Sequence, residues 1–294
     1  MRAEIEEAVE LLHRGDDPSI ERALALLQNT VFSFSMRVCG HREDAEDTMQ
    51  EVLLKSVPQL PKFDSPKALV VWLYKVAKNR CLMSRRKSKF APAQELSLEE
   101  LMPDRDELGQ LTGDGRVNPE AFTIRSEQAS RLREAVQKLP PHYRIVLVLR
   151  DMEGLTDEEV AEITGVRAGT VRVRLHRARL FVRKELMRTW MPGSGKRARA
   201  QRQAVEERRP ARCKAMFAEL SDYLDEQLDD SLCEELERHM NGCGPCQAFV
   251  ATLEATIEQC RNSARDCPPP EAVKLRQELM QKYQQVNNAL RPSS

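Results

Sequence analysis

The residues best suited to chemistry are a histidine and two cysteines towards the C-terminal end. "HMNGCGPC" places His239, Cys243 and Cys246 at the spacing H-x3-C-x2-C. Imidazole nitrogen and thiolate sulfur are the donors that thiophilic ions take, and zinc takes four at tetrahedral corners. On a helix from about Ser231, His239 and Cys243 stand one turn apart and share an ion. Gly242 and Gly244 loosen the chain so that Cys246 wraps round, and Pro245 suits the first turn of the next helix. The fourth corner falls to Cys213, at the start of the same module. Cys233, Cys260 and Cys267 are left over, as ordinary small apolar residues or as a second, sensed soft-metal site. Cys260 continues the stripe of Phe249, Leu253 and Ile257 and reads as core.

A second chemistry, recognition of DNA, is carried by "LTDEEVAEITGVRAGTVRVRLHRARL" from Leu155 to Leu180. Thr156 caps a first helix, and Glu159, three residues on, completes a capping box. Gly165 makes the turn. A second helix from Ala168 or Gly169 turns Val171, Leu175 and Ala178 to the core and Arg172, Val173, His176 and Arg177 outward. Arg174 and Arg179 add to its charge. One packed face and one basic face is what a helix lying in a DNA groove needs.

Helices must position both sites, because helical periodicity dominates the chain and strand-like alternation is scarce. The 294 residues carry 46 basic and 46 acidic side chains, and the zero net charge hides segregation. Trp72 to Phe90 has seven bases and no acid, Ala91 to Ala121 eight acids and two bases, Arg167 to Arg188 eight bases and one acid. Such blocks point to distinct partners. Neither an apolar membrane span nor a secretory leader is visible, so a cytoplasmic chain is expected, with its eight cysteines as thiols and metal ligands. No nucleophile–base pair or phosphate loop is present, so no enzyme is expected. The fold class expected is all-α. Residues 1–90 form a helical domain with an N-terminal extension, and 91–121 an acidic linker. Residues 122–190 form a second helical domain, 191–212 a linker, 213–261 the metal module and 262–294 a tail.

"LPPHYRIVLVLRDMEGLTDEEVAEITGVRAGTVRVRLHRAR" resembles the −35-binding region 4 of bacterial extracytoplasmic-function sigma factors. "DAEDTMQEV" (Asp44 to Val52) resembles the start of region 2, and "WLYKVAKNRCLMSRRKSK" its polymerase-binding and −10-reading part. The resemblance implies that Asp44, Asp47, Gln50 and Glu51 meet core RNA polymerase. It also implies that Lys75, Lys78, Asn79, Arg80, Arg85 and Arg86 hold the melted −10 strand, with Trp72, Tyr74 and Phe90 as available platforms. Trp72 reads equally as core. Many relatives carry an acid where this chain has Met83-Ser84, and a small polar residue in place of Val173. The acidic linker resembles the segment that mimics nucleic acid in the polymerase cleft.

"ELSDYLDEQLDD" followed by H-x3-C-x2-C, with Cys213 upstream, resembles the zinc-binding anti-sigma fold. A sigma factor ending in a cysteine-rich domain also resembles the CorE-like sigma factors, in which copper, cadmium or zinc sets activity. The expectation is a transcription initiation factor that binds core polymerase and promoter −35 and −10 elements. Its control in cis would come from zinc or another thiophilic ion on the C-terminal module, or from an anti-sigma partner. Two alternatives stand beside it: a purely structural zinc module serving as a protein interface, and a helix-turn-helix regulator that never engages core polymerase.

Overall fold

The computed structural model describes residues 2–63, 65–85, 95–103, 107, 126–190, 220–263 and 273–290. Among them there is no strand, and the chain is all-α. In chain order the helices are α1 (Arg2–Arg14), α2 (Asp17–Cys39), α3 (Arg42–Ser56), α4 (Pro66–Arg85), α5 (Leu98–Leu101) and α6 (Ser126–Lys138). They continue with α7 (Pro141–Leu147), α8 (Asp157–Thr164), α9 (Ala168–Trp190), α10 (Asp230–Asn241), α11 (Gly244–Asn262) and α12 (Val273–Leu290). A 3-10 helix, Val57–Lys62, follows α3, and a π turn, Val148–Met152, follows α7. None of the described helices is long and apolar enough to cross a membrane.

Two compact units emerge. The first joins residues 1–92, 148–168 and 264–294; the second joins 93–147 and 169–263.

In the first unit α2 is the central element, packed by α1, α3 and α4. Its start is fixed by Asp16, whose Oδ1 accepts from the Ser19 amide at 3.0 Å, and by a proline in the first turn. It ends at Gly40, whose φ of 82° closes the last turn in the left-handed region. Leu24, Leu27, Val31 and Phe34 of α2 are fully buried, as are Val52 and Leu53 of α3 and Leu69 and Ala77 of α4. The segment expected to be a tail contributes α12. Leu275, Leu279 and Tyr283, four residues apart, are buried, and the helix packs on α2, α3 and the 3-10 helix. α8 packs on α4.

Two further links tie this unit together. Glu153 is buried between Arg37, its ion-pair partner, and Tyr74, whose Oη donates to it at 2.6 Å. Burial raises its carboxyl above the ordinary range although Arg37 opposes the rise. Cys39, at the end of α2, and Cys81, on α4, form a disulfide with Cα atoms 5.6 Å apart. The expectation that all eight cysteines are thiols or ligands is therefore corrected for this pair. Neighbouring helices bring together two buried sulfurs 42 residues apart in sequence.

In the second unit Arg144 closes the end of α6. Its Nε donates to the Val136 carbonyl at 3.1 Å and its Nη2 to the Leu139 carbonyl at 2.8 Å. Carbonyls at a helix end lack their full set of intrahelical donors; Val136 also accepts from the Leu139 amide at 3.2 Å, and the buried guanidinium supplies further donors. Part of the acidic linker is seated here: Leu96, Leu101 and Met102 are buried, and the Leu96 amide donates to Tyr143 Oη at 3.2 Å.

Candidate metal centre and nucleic-acid interface

His239 lies in the last turn of α10. Cys243 caps α11, and Cys246 opens it, with Pro245 in the first turn. α10 stops at Asn241, so His239 and Cys243 do not share one helix as expected; the chain turns at Gly242 and Cys243 follows the break. The three donor atoms nevertheless lie within 4.8 Å of one another, and Cys246 Sγ is 3.5 Å from His239 Nε2. Tetrahedral bonds of about 2.0–2.3 Å put ligand atoms roughly 3.5–3.8 Å apart, so two thiolates and an imidazole at this spacing fit a zinc-like ion. Among the described residues this is the one cluster of three or more such donors. Cys213 and Cys267 lie outside the described residues. Cys260 is buried, in line with its place in the α11 core stripe, and Cys233 is half-buried on α10.

The helix-turn-helix segment has the expected local chemistry. Thr156 Oγ1 accepts from the Glu159 amide at 3.3 Å, and Glu159 Oε2 accepts from the Thr156 amide at 2.8 Å. Gly165 holds φ at 76°, and α9 begins at Ala168. On α9, Val171, Leu175 and Ala178 are buried, while Arg172 and Val173 are exposed and Arg174 and Arg177 half-buried.

His176 and Arg179 depart from the expectation. His176, expected to face outward, is buried, and its Nδ1 lies 2.7 Å from Ser221 Oγ. Arg179 is 1% exposed and makes a two-pronged ion pair with Asp225, at 2.8 and 3.0 Å. Arg183, one turn on, stands 3.8 Å over the Phe249 ring, donates to Thr252 Oγ1 at 2.7 Å and pairs with Glu107 at 2.6 Å. Burial pulls its pKa below the ordinary value against the pull of Glu107. α9 thus has two packed stripes, and the second is covered by the C-terminal module. Sequence periodicity pointed to the apolar stripe only, because residues 176, 179 and 183 are polar or charged.

On α4, Lys75 and Asn79 are exposed. Lys78 is engaged: its Nζ donates to the Ile163 carbonyl at 2.7 Å, satisfying the end of α8. Burial, with Lys75 nearby, lowers its pKa. Arg80 pairs with Glu51 at 2.7 Å, and Lys55 also holds Glu51, at 2.6 Å. Tyr74 is buried on Glu153 and is no platform; Trp72 is half-buried against Phe63. The side chains of Arg85, Arg86 and Phe90 fall outside the described set. Of the residues expected to meet polymerase, Asp47 and Gln50 are exposed on α3, and Asp44 and Glu51 half-buried.

Comparison with known proteins gives these sites a context. Residues 24–90 match the family model for sigma-70 region 2, and residues 129–182 that for sigma-70, region 4. Residues 213–247 match the family model "Putative zinc-finger". The extracytoplasmic-function RNA polymerase sigma factor SigW of Bacillus subtilis is 28% identical over 189 residues, covering 63% of this chain and 98% of that protein. SigE of Mycolicibacterium smegmatis is 31% identical over 167 residues, 56% of this chain and 61% of that protein. The RNA polymerase sigma-H factor of Pseudomonas aeruginosa is 28% identical over 188 residues, 62% of this chain and 93% of that protein. With both sigma regions in order and a zinc-finger module behind them, the chain is homologous to the extracytoplasmic-function sigma factors, and these findings support transcription initiation through core RNA polymerase.

Proposed function

We propose that this sigma factor directs polymerase to its promoters through α9 and the basic end of α4, and that its own metal module restrains it. Arg172, Val173, Arg174 and Arg177 are the residues we assign to the −35 element. Lys75, Asn79, Arg85 and Arg86 are assigned to the opened −10 strand, and Asp44, Asp47, Gln50 and Glu51 to core polymerase. Arg179 and His176 are assigned to DNA only after the module leaves. The protein catalyses no reaction itself and acts in the cytoplasm.

The observation that carries the restraint is the Arg179–Asp225 pair. A bidentate carboxylate is the protein's nearest imitation of a DNA phosphate. Here it comes from the segment just ahead of α10 and occupies a guanidinium of a helix within the region 4 match. Glu107, from the acidic segment, pairs with Arg183 one turn on, at 2.6 Å. The ion would tie α10 to the start of α11, the helix whose Phe249 and Thr252 receive Arg183. Metal-ligated, the module docks; without metal, α11 loses its anchor and α9 is released.

Fluorescence anisotropy of a duplex promoter, selected from a random library by the assembled holoenzyme, tests this. Wild type in zinc, wild type in chelator and Asp225→Asn in zinc are compared. Chelation and Asp225→Asn each tighten binding, by about tenfold if one molecule in ten is undocked at the start. An Asp225→Asn affinity equal to that of wild type would refute the restraint.

A further inference from the structure

Three large apolar side chains stand exposed among the described residues: Met83 at 59%, Val173 at 51% and Leu232 at 39%. A single exposed apolar residue is ordinary on a protein surface. The position of Met83 is not. Val173 lies on the α9 face assigned to DNA, and Met83 lies near the end of α4, where no carboxylate occurs from Trp72 to Phe90.

The register of α4 adds a second observation. Lys75, Asn79 and Met83 are exposed at i, i+4 and i+8, and half-buried Trp72 precedes them by three residues. These four fall on one stripe of the helix. Tyr74, Ala77 and Cys81 occupy the buried face. The cations beside the stripe are engaged within the protein, Lys78 on Ile163 and Arg80 on Glu51. The stripe itself presents an aromatic ring, an ammonium, a carboxamide and a thioether, spread over about 17 Å of helix. Single-stranded nucleic acid is held by this kind of mixture, with cations tracking phosphates and flat or polarisable side chains taking base faces. A thioether is flexible and polarisable and packs against aromatic systems of varied shape. It has no such partner in a duplex, where base faces are stacked away.

We propose that Met83 is a base platform of this sigma factor. It takes the face of an unpaired base of the opened strand, while Asn79, one turn earlier, meets a base edge and Lys75 a phosphate. The proposal rests on the reading that the basic end of α4 captures melted DNA. It adds a contact specific to unpaired bases, in a stretch from Trp72 to Phe90 with no carboxylate to repel the strand.

The test uses full-length protein assembled with core polymerase and two labelled probes, the single strand dT12 and the duplex dA12·dT12. Binding is followed by anisotropy. Because Met83 is exposed, Met83→Ser should fold as wild type does, which circular dichroism melting checks. Met83→Ser weakens dT12 binding by about three- to tenfold and leaves duplex binding unchanged. Met83→Phe, which restores a platform, binds dT12 at least as tightly as wild type. Lys75→Ala lowers the slope of affinity against salt by about one. Wild-type dT12 affinity in Met83→Ser, or an equal loss on the duplex, overturns the role of Met83 alone. A wild-type holoenzyme that prefers the duplex overturns the strand-capture reading with it.

Discussion

Glu153 is the residue whose surroundings set the sharpest energetic condition on the fold. Its side chain has no solvent exposure, and its counter-charge comes from Arg37, 116 residues earlier in the chain. Breaking a buried pair leaves a charge without compensation and costs about 3–5 kcal/mol. Arg37→Ala should lose that much at neutral pH. The carboxyl is raised already, so the folded state binds the extra proton. Its contribution is therefore full below the ordinary carboxyl pKa and falls as pH rises through the folded value. Without Arg37 the fall steepens, so urea melts at pH 4.5 and 7.5 should show a smaller deficit against wild type in acid. Equal deficits at both would contradict the buried pairing. Nothing in the sequence near Glu153 or Arg37 announces this pair, since each reads as one charged residue in a helical stretch. The Cys39–Cys81 bond was hidden the same way. His239, Cys243 and Cys246 were legible because their chemistry is local and their spacing carries it.

At the level of elements, the helix ends were the most readable feature, because capping is a contract between residues three apart. Thr156→Ala removes an acceptor for the Glu159 amide and should cost about 1 kcal/mol, measured by chemical denaturation. A loss below about 0.3 kcal/mol would place the start of α8 under other control. α12 lies in the segment expected to be a tail, and its role as a packing partner was not legible. Its stripe of Leu275, Leu279 and Tyr283 shows amphipathicity without naming what covers it. The structure supplies α2, α3 and the 3-10 helix. Leu279 is fully buried, so Leu279→Ala should destabilise the first unit by about 2–5 kcal/mol. A mutant as stable as wild type would mean that α12 is not part of that core. α9 was half legible. Its apolar stripe obeyed helical periodicity, but the stripe of His176, Arg179 and Arg183 is buried only because Ser221, Asp225 and Thr252 lie against it.

On the scale of the whole molecule, the proposed restraint makes the sigma domains and the metal module one regulatory object. A module covalently joined to the sigma domains acts at an effective concentration that can reach the millimolar range, so a weak interface suffices. Arg179–Asp225 is costly to break by half: both side chains are nearly fully buried, at 1% and 6% exposure, so removing one leaves the other without compensation. The balance between docked and free states then depends on any free-energy difference that metal binding makes between them. Restraint by the metal-loaded module is tested most directly by run-off transcription with purified core polymerase on a library-selected linear promoter. Full-length protein is assayed in zinc, copper(I), cadmium and chelator, beside a Cys243→Ser, Cys246→Ser double mutant. Low output is predicted in the metal that fills the His239, Cys243 and Cys246 site, and higher output in chelator and in the double mutant. The same output from wild type in every metal and in chelator would contradict the restraint and leave the module a structural part of the fold.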